Sequence, residues 1–116
     1  MTSSPDSLLP ILQQCWSAET SPEWRPNNPA RGQCGVTALI VHDLHGGTIL
    51  KTETGRGWHF YNRVDGTRHD LTAGQFETSI DYADIASSRE EALAGTTMER
   101  YRTLKMRVRQ RLAQLS

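Results

Sequence analysis

The chain has 116 residues, 36% hydrophobic and 22% charged, with 13 basic and 13 acidic side chains and a net charge of zero. That length suits one domain, residues 1–116, able to bury roughly two-thirds of the surface its unfolded form exposes. The composition excludes a disordered chain, and no apolar run approaches the about 20 residues that span a bilayer.

The N-terminal run MTSSPDSLLPILQQCW lacks a positively charged start and a small-residue cleavage site. This argues against a secretory signal and for a cytoplasmic protein. Leu8, Leu9, Leu12, Cys15 and Trp16 fall at helical spacings and predict a helix over about residues 5–16, with Pro10 early, where a missing N–H costs least. Residues 17–33 lose that pattern and hold three prolines and two asparagines, which predicts a long loop. From Cys34 to His45, the spacing of Val36, Leu39, Ile40 and Leu44 predicts a second helix with one buried face, stopped by Gly46-Gly47.

Strands are expected over residues 48–53, 57–64 and 67–72, the last two joined by the hairpin turn Asp65-Gly66. Capping-box signatures at Thr72–Gln75, Ser87–Glu90 and Thr96–Glu99 predict helices over 73–80, 88–94 and 97–115. The last of these carries an apolar stripe of Met98, Tyr101, Leu104, Val108, Leu112 and Leu115. The fold class is therefore α+β, a compact single domain. A Cys-bearing helix packs on a small antiparallel sheet of about three strands, with helices flanking it at both ends.

Cys15 and Cys34 are too few for a disulfide framework, and in a reducing compartment both stay thiols. Cys34 is the chemically interesting one, because a helix start offers free backbone N–H groups that favour a thiolate and could hold an oxyanion. A type I′ turn at Asp65-Gly66 would pair Val64 with Thr67, Arg63 with Arg68 and Asn62 with His69. Alternation then places His59, Tyr61, Arg68, Asp70 and Thr72 on one face, and Trp58, Phe60, Asn62, His69 and Leu71 on the other. His59 and Asp70 become diagonal neighbours, so Asp70 could accept the Nδ1 proton and leave Nε2 for Cys34. The bland reading of the same residues is a buried thiol, a core histidine and an aspartate that caps the Thr72 turn. Gln33, Trp24 and Asn62 are weaker oxyanion or substrate-positioning candidates.

The runs NPARGQCGVTALIVHDLHGGTIL and GWHFYNRVDGTRHDLTAGQF resemble the YunG-like family of small bacterial proteins, a resemblance that carries no reaction with it. More distantly, the order Cys on a helix, His on a strand and Asp on the next is similar to transglutaminase-like and papain-like cysteine enzymes. That likeness implies a papain/transglutaminase-like core, with Cys34 as nucleophile, His59 as base and Asp70 as orienting acid. The resulting expectation is a cysteine-dependent acyl transferase or amide/thioester hydrolase, acting on a small-molecule or peptide acyl substrate without a cofactor. The alternative is a non-catalytic binding or regulatory module that keeps a cysteine-enzyme-like fold.

Three rival signals are weaker. His42 and His45 lie three apart on the Cys34 helix, but no third ligand has fitting spacing, so no metal is expected. Residues 97–116 carry a net +5 against −5 for the rest, which could suit a phosphate backbone. No aromatics interleave with those bases, so a solvated face or an acidic patch on the same protein is preferred to nucleic acid. Arg63 and Arg68, opposite each other, need solvent or an anion, and Trp58 and Phe60 are expected in the core.

Overall fold

The computed structural model describes residues 4–115. Ser4 accepts the Asp6 N–H and opens a 3-10 turn, Pro5–Leu8, which runs into helix α1, Leu9–Cys15. Pro10 sits in the first turn of α1, as its missing donor requires. A long loop leads to α2, Cys34–His45, ended by Gly46 and Gly47 at φ 71° and 77°. Strands β1 (Thr48–Thr54), β2 (Gly57–Val64) and β3 (Thr67–His69) follow, then a short β4 (Ile85–Ala86), α3 (Arg89–Ala94) and α4 (Met98–Gln114). The α+β class holds, but the antiparallel sheet has four strands in the order β3-β2-β1-β4.

The hairpin register is the expected one. Val64 pairs with Thr67, Arg63 with Arg68 and Asn62 with His69. Asp65 and Gly66 both take positive φ, 51° and 79°, as a two-residue type I′ turn demands. β3 ends at His69 rather than near residue 72 because the Asp70 carboxylate captures the next backbone donor: its Oδ1 accepts the Thr72 N–H at 3.2 Å.

α2 lies across the Phe60–Asn62–Val64 face of the sheet, with α3 and α4 packed on it and α1 packed on α4. Leu12, Leu39, Val41 and Leu104 are all but sealed from solvent, and each contributes on the order of 1.5–3 kcal/mol by its burial. Gly35 through Val41 are all buried, so α2 is a central helix rather than one with a single apolar stripe. Leu44, expected in that stripe, is exposed at the far end, as are Met98 and Leu115 at the two ends of α4. Trp58 also departs from expectation. It is 47% exposed, whereas Phe60, two residues on, is buried.

The largest departure lies between residues 73 and 86. The expected helix is a single 3-10 turn, Ala73–Gln75, after which the chain runs without regular structure to β4, bending at Glu77 and Thr78 and taking positive φ at Asp84. The Thr72 side chain does not cap; it donates to Asp70 Oδ1 at 3.3 Å instead. This irregular run lies over the sheet face opposite α2. There Thr52 Oγ1 donates to Asp81 O (2.9 Å) and accepts from Ala83 N (3.0 Å), and the Tyr61 and Tyr82 rings meet edge to face at 4.9 Å. Leu50, Thr52, His59 and Tyr61 are buried by this cover. The caps of α3 and α4 are Ser88 and Thr97, each one residue beyond the position the sequence pattern suggests.

The charged residues mostly pair within the chain. Asp84 takes Arg68 in a two-pronged bond (2.9 and 2.6 Å) and draws Arg63 to 3.7 Å, so the facing arginines share one internal anion. Asp43 on α2 meets Arg89 (2.9 Å), Lys105 (3.6 Å) and the Tyr101 hydroxyl (2.5 Å), and Arg107 pairs with Glu19. The basic α4 thus finds acidic partners on α2 and in the long loop. His42 bonds Arg89 through Nδ1 at 3.0 Å, and no group of three His, Cys, Asp or Glu is placed to hold a metal among the described residues. No described helix is long and apolar enough to cross a membrane.

Candidate active site around Cys34

Because β3 stops opposite Asn62, the first half of β2 has no strand neighbour on that side. The start of α2 reaches His59 through this opening, and Cys34, His59, Gly32, Gln75 and Phe76 together line a cleft of about 190 Å³. His59 is 2% exposed and the Asp70 side chain 5%. Their contact is direct: His59 Nε2 to Asp70 Oδ2, 2.6 Å. With Nε2 engaged, Nδ1 is the ring nitrogen left over, and Cys34 lines the same cleft, near enough to help raise the His59 pKa. The ring is therefore turned the other way from the expectation, in which Nδ1 faced the aspartate.

Asp70 does both jobs that sequence reading set against each other. Oδ1 holds the Thr72 turn, while Oδ2 accepts from His59 and from the Tyr82 hydroxyl at 2.8 Å. Phe76 packs edge-on to the imidazole at 4.9 Å and Tyr61 stacks on its other flank at 5.9 Å. The imidazole is thus held in place by packing on two flanks and a hydrogen bond at one end.

Burial alone would lower the His59 pKa, since it penalises the charged ring. The bond to the Asp70 carboxylate, the neighbouring Cys34 and the charges of both outweigh it, and the value is pushed up from 6.5 to about 9. This favours the protonated ring at neutral pH. Burial raises the Tyr82 hydroxyl's pKa first, and its bond to Asp70 adds to this, so Tyr82 remains a proton donor to that carboxylate.

Cys34, His59 and Asp70 come together; the three weaker candidates do not join them. Gln33 is fully buried, its Oε1 accepting from Thr20 (2.8 Å) and its Nε2 donating to Ser17 O (3.4 Å), so its amide serves the loop. Asn62 lies on the opposite face of β2 and donates to Ala38 O at 3.0 Å inside the core. Trp24 packs against the main core cluster rather than lining the cleft. The donors available to an oxyanion are instead the N–H groups of Cys34, Gly35 and Val36, which precede Thr37, the first α2 donor bonded to a carbonyl. Gly35 is required there: a Cβ would stand 2.8 Å from the Ala92 carbonyl oxygen of α3.

Sequence reasoning missed Tyr82, Phe76 and Gln75. Gln75 is buried, accepts the Gly32 N–H at 3.3 Å and donates to Thr72 O at 3.1 Å, tying the loop before Cys34 to the turn after Asp70. Gly32, at φ 73°, has no room for a Cβ, which would stand 2.3 Å from Ser21 Oγ. The Thr72-x-x-Gln75 pattern did mark the turn that carries Gln75, but as a helix cap.

The YunG protein family model matches residues 4–113. The chain belongs to the YunG family. It is 48% identical over 95 residues to "Uncharacterized protein YunG" of Bacillus subtilis (strain 168), covering 82% of this chain and 83% of that protein. No solved structure matches the chain. All of the cleft residues of this YunG family member fall within the span of the family match.

Proposed function

We propose that the protein is a cysteine-dependent acyl-transfer enzyme or hydrolase acting on an amide or thioester, with Cys34 as nucleophile, His59 as proton carrier and Asp70 as the group that orients it. The observation that carries this reading is the imidazole of His59 bonded to Asp70 Oδ2 at 2.6 Å, with Cys34 at the start of α2 lining the same cleft. An imidazolium beside a thiol favours the thiolate, which is the attacking form. The order of the three groups along helix, strand and following turn supports a likeness to transglutaminase-like and papain-like enzymes. Reactive thiols of this type suit a reducing, cytoplasmic setting.

The steps balance without a cofactor. The Cys34 thiolate adds to the acyl carbon, and the oxygen takes the electron pair and the N–H groups at the start of α2. Collapse breaks the bond to the leaving amine or thiol, which receives the proton from His59. The now neutral imidazole takes a proton from water or an acceptor amine as it attacks the thioester. Release of the acyl product restores thiolate and imidazolium. Tyr82 and Thr72 hold Asp70, and Phe76 and Tyr61 hold the ring, so neither partner of the pair is free to turn away.

Intact-mass measurement on the protein incubated with short acyl thioesters and activated amides tests this. The expected result is an acyl adduct on Cys34 that forms within the turnover time and is absent from Cys34→Ser. A protein that never acquires the adduct, although Cys34 is reachable by small alkylating reagents, would instead fit a binding module.

A further inference from the structure

Three charged residues line the Cys34 cleft: Glu23, Arg56 and His59. Two of them are engaged within the chain. Glu23 meets Arg31 at 3.5 Å, and His59 is held by Asp70. Arg56 makes no ion pair among the described residues; its guanidinium instead lies over the Phe76 ring, 5.2 Å from the centroid. This sets it apart from Arg63, Arg68, Arg89 and Arg107, each of which has an internal carboxylate.

Arg56 is exposed at the tip of a hairpin that bounds the cleft. Arg56 is the second residue of the two-residue Gly55-Arg56 turn between β1 and β2, and its N–H is held by Thr54 Oγ1 at 3.2 Å while that hydroxyl donates to Gly57 O at 2.8 Å. Phe76 lies between Arg56 and His59, 5.2 Å from the guanidinium carbon on one side and 4.9 Å from the imidazole on the other. The guanidinium is therefore within about 10 Å of the imidazole centre. Trp58, 47% exposed, lines the same cleft. The volume, about 190 Å³, equals roughly six water molecules at about 30 Å³ each, room for an amino-acid-sized fragment.

We propose that Arg56 is the carboxylate-binding residue of this cleft, and that the substrate is a small amide or thioester that carries a carboxylate besides its scissile carbonyl. The proposal rests on Cys34 being the nucleophile. A planar guanidinium takes a carboxylate through two parallel N–H bonds, which fixes orientation as well as charge. The aromatic walls of Phe76 and Trp58 would cover the apolar body between the anion and the reacting carbon. Arg56 binds and positions; it takes no proton.

N-Iodoacetyl-β-alanine and its carboxamide alkylate a thiolate by the same displacement of iodide; only the first ends in a carboxylate, held several bonds from the reacting carbon, where it can reach toward Arg56. The readout is the ratio of their rates at Cys34, followed by peptide mass spectrometry. The ratio in the wild type should exceed that in Arg56→Gln about fivefold at low salt and fall as salt rises, and Arg56→Lys should recover part of it. A ratio unchanged in Arg56→Gln would assign any preference for the anion to the His59 imidazolium and overturn the carboxylate site. If both reagents are slow at Cys34 in the wild type, the nucleophile itself fails and this proposal falls with it.

Discussion

Replacing His59 with alanine is expected to slow iodoacetamide alkylation of Cys34 at about pH 6 by roughly 10- to 30-fold. An ordinary thiol at that pH is thiolate only to a few parts per thousand, so an imidazolium partner has a large population effect to supply. A stabilised thiolate is a weaker nucleophile, which gives part of the gain back and sets the more modest net figure. Cys15 is an internal control. It is 3% exposed, and burial pushes its thiol upward against the opposing pull of Arg111 and Arg107. Labelling should therefore go to Cys34 in the folded protein, and the His59→Ala effect should appear there alone. Equal rates at Cys34 in wild type and His59→Ala would remove the pair from the mechanism.

Asp70→Ala is expected to cost about 3–5 kcal/mol of folding stability, the usual range for deleting one partner of a buried ion pair. Four donors lose their acceptor at once: His59, the Tyr82 hydroxyl, and the N–H and hydroxyl of Thr72. The pH dependence should change with it. Wild-type His59 has a folded value of about 9 against 6.5 in the unfolded chain. For the ring taken alone, the native state binds more protons than the unfolded state between those values, so its contribution falls as pH rises. It is complete below about pH 6.5, is lost across the window up to about 9, and amounts to on the order of 3 kcal/mol. In the wild type a Cys34 thiolate gives up the proton that the ring gains, so the decline belongs to Cys34→Ala, where no thiol offsets it. Urea denaturation of Cys34→Ala should show stability falling across that window, and adding Asp70→Asn, which keeps acceptor geometry without the charge, should make the fall much smaller. A Cys34→Ala protein whose stability is flat between pH 6.5 and 9 would mean that His59 carries no extra proton in the fold.

The parts of this site that could be read from sequence were those fixed by local rules. Asp65-Gly66 is a turn whose two positive φ values few residue pairs tolerate, and it set the register that makes His59 and Asp70 neighbours. Cys34 follows a loop rich in proline and precedes an apolar period, which located the helix start to the residue. The cover over His59 was not legible, for a physical reason. Residues 77–84 form no ladder of their own and lead only into the two-residue β4, and their order comes from side chains such as Thr52, Tyr61 and Asp70 on distant elements. A segment held by long-range bonds shows no period. The same holds for the orientation of the imidazole: strand alternation gave the face of His59, but the Tyr82 and Phe76 packing that turns Nε2 to Asp70 belongs to that unread segment. Trp58 shows the opposite error, since alternation put it on the core face although it lies where the cleft leaves that face uncovered.

Nitrogen-15 NMR of the histidine rings, titrated with pH, measures the protonation of His59 itself. The account predicts that both ring nitrogens of His59 stay protonated through neutral pH and release a proton near 9, with a lower value in Asp70→Asn. A neutral His59 ring at pH 7, titrating near the ordinary imidazole value of about 6.5 and unmoved by Asp70→Asn, would contradict it.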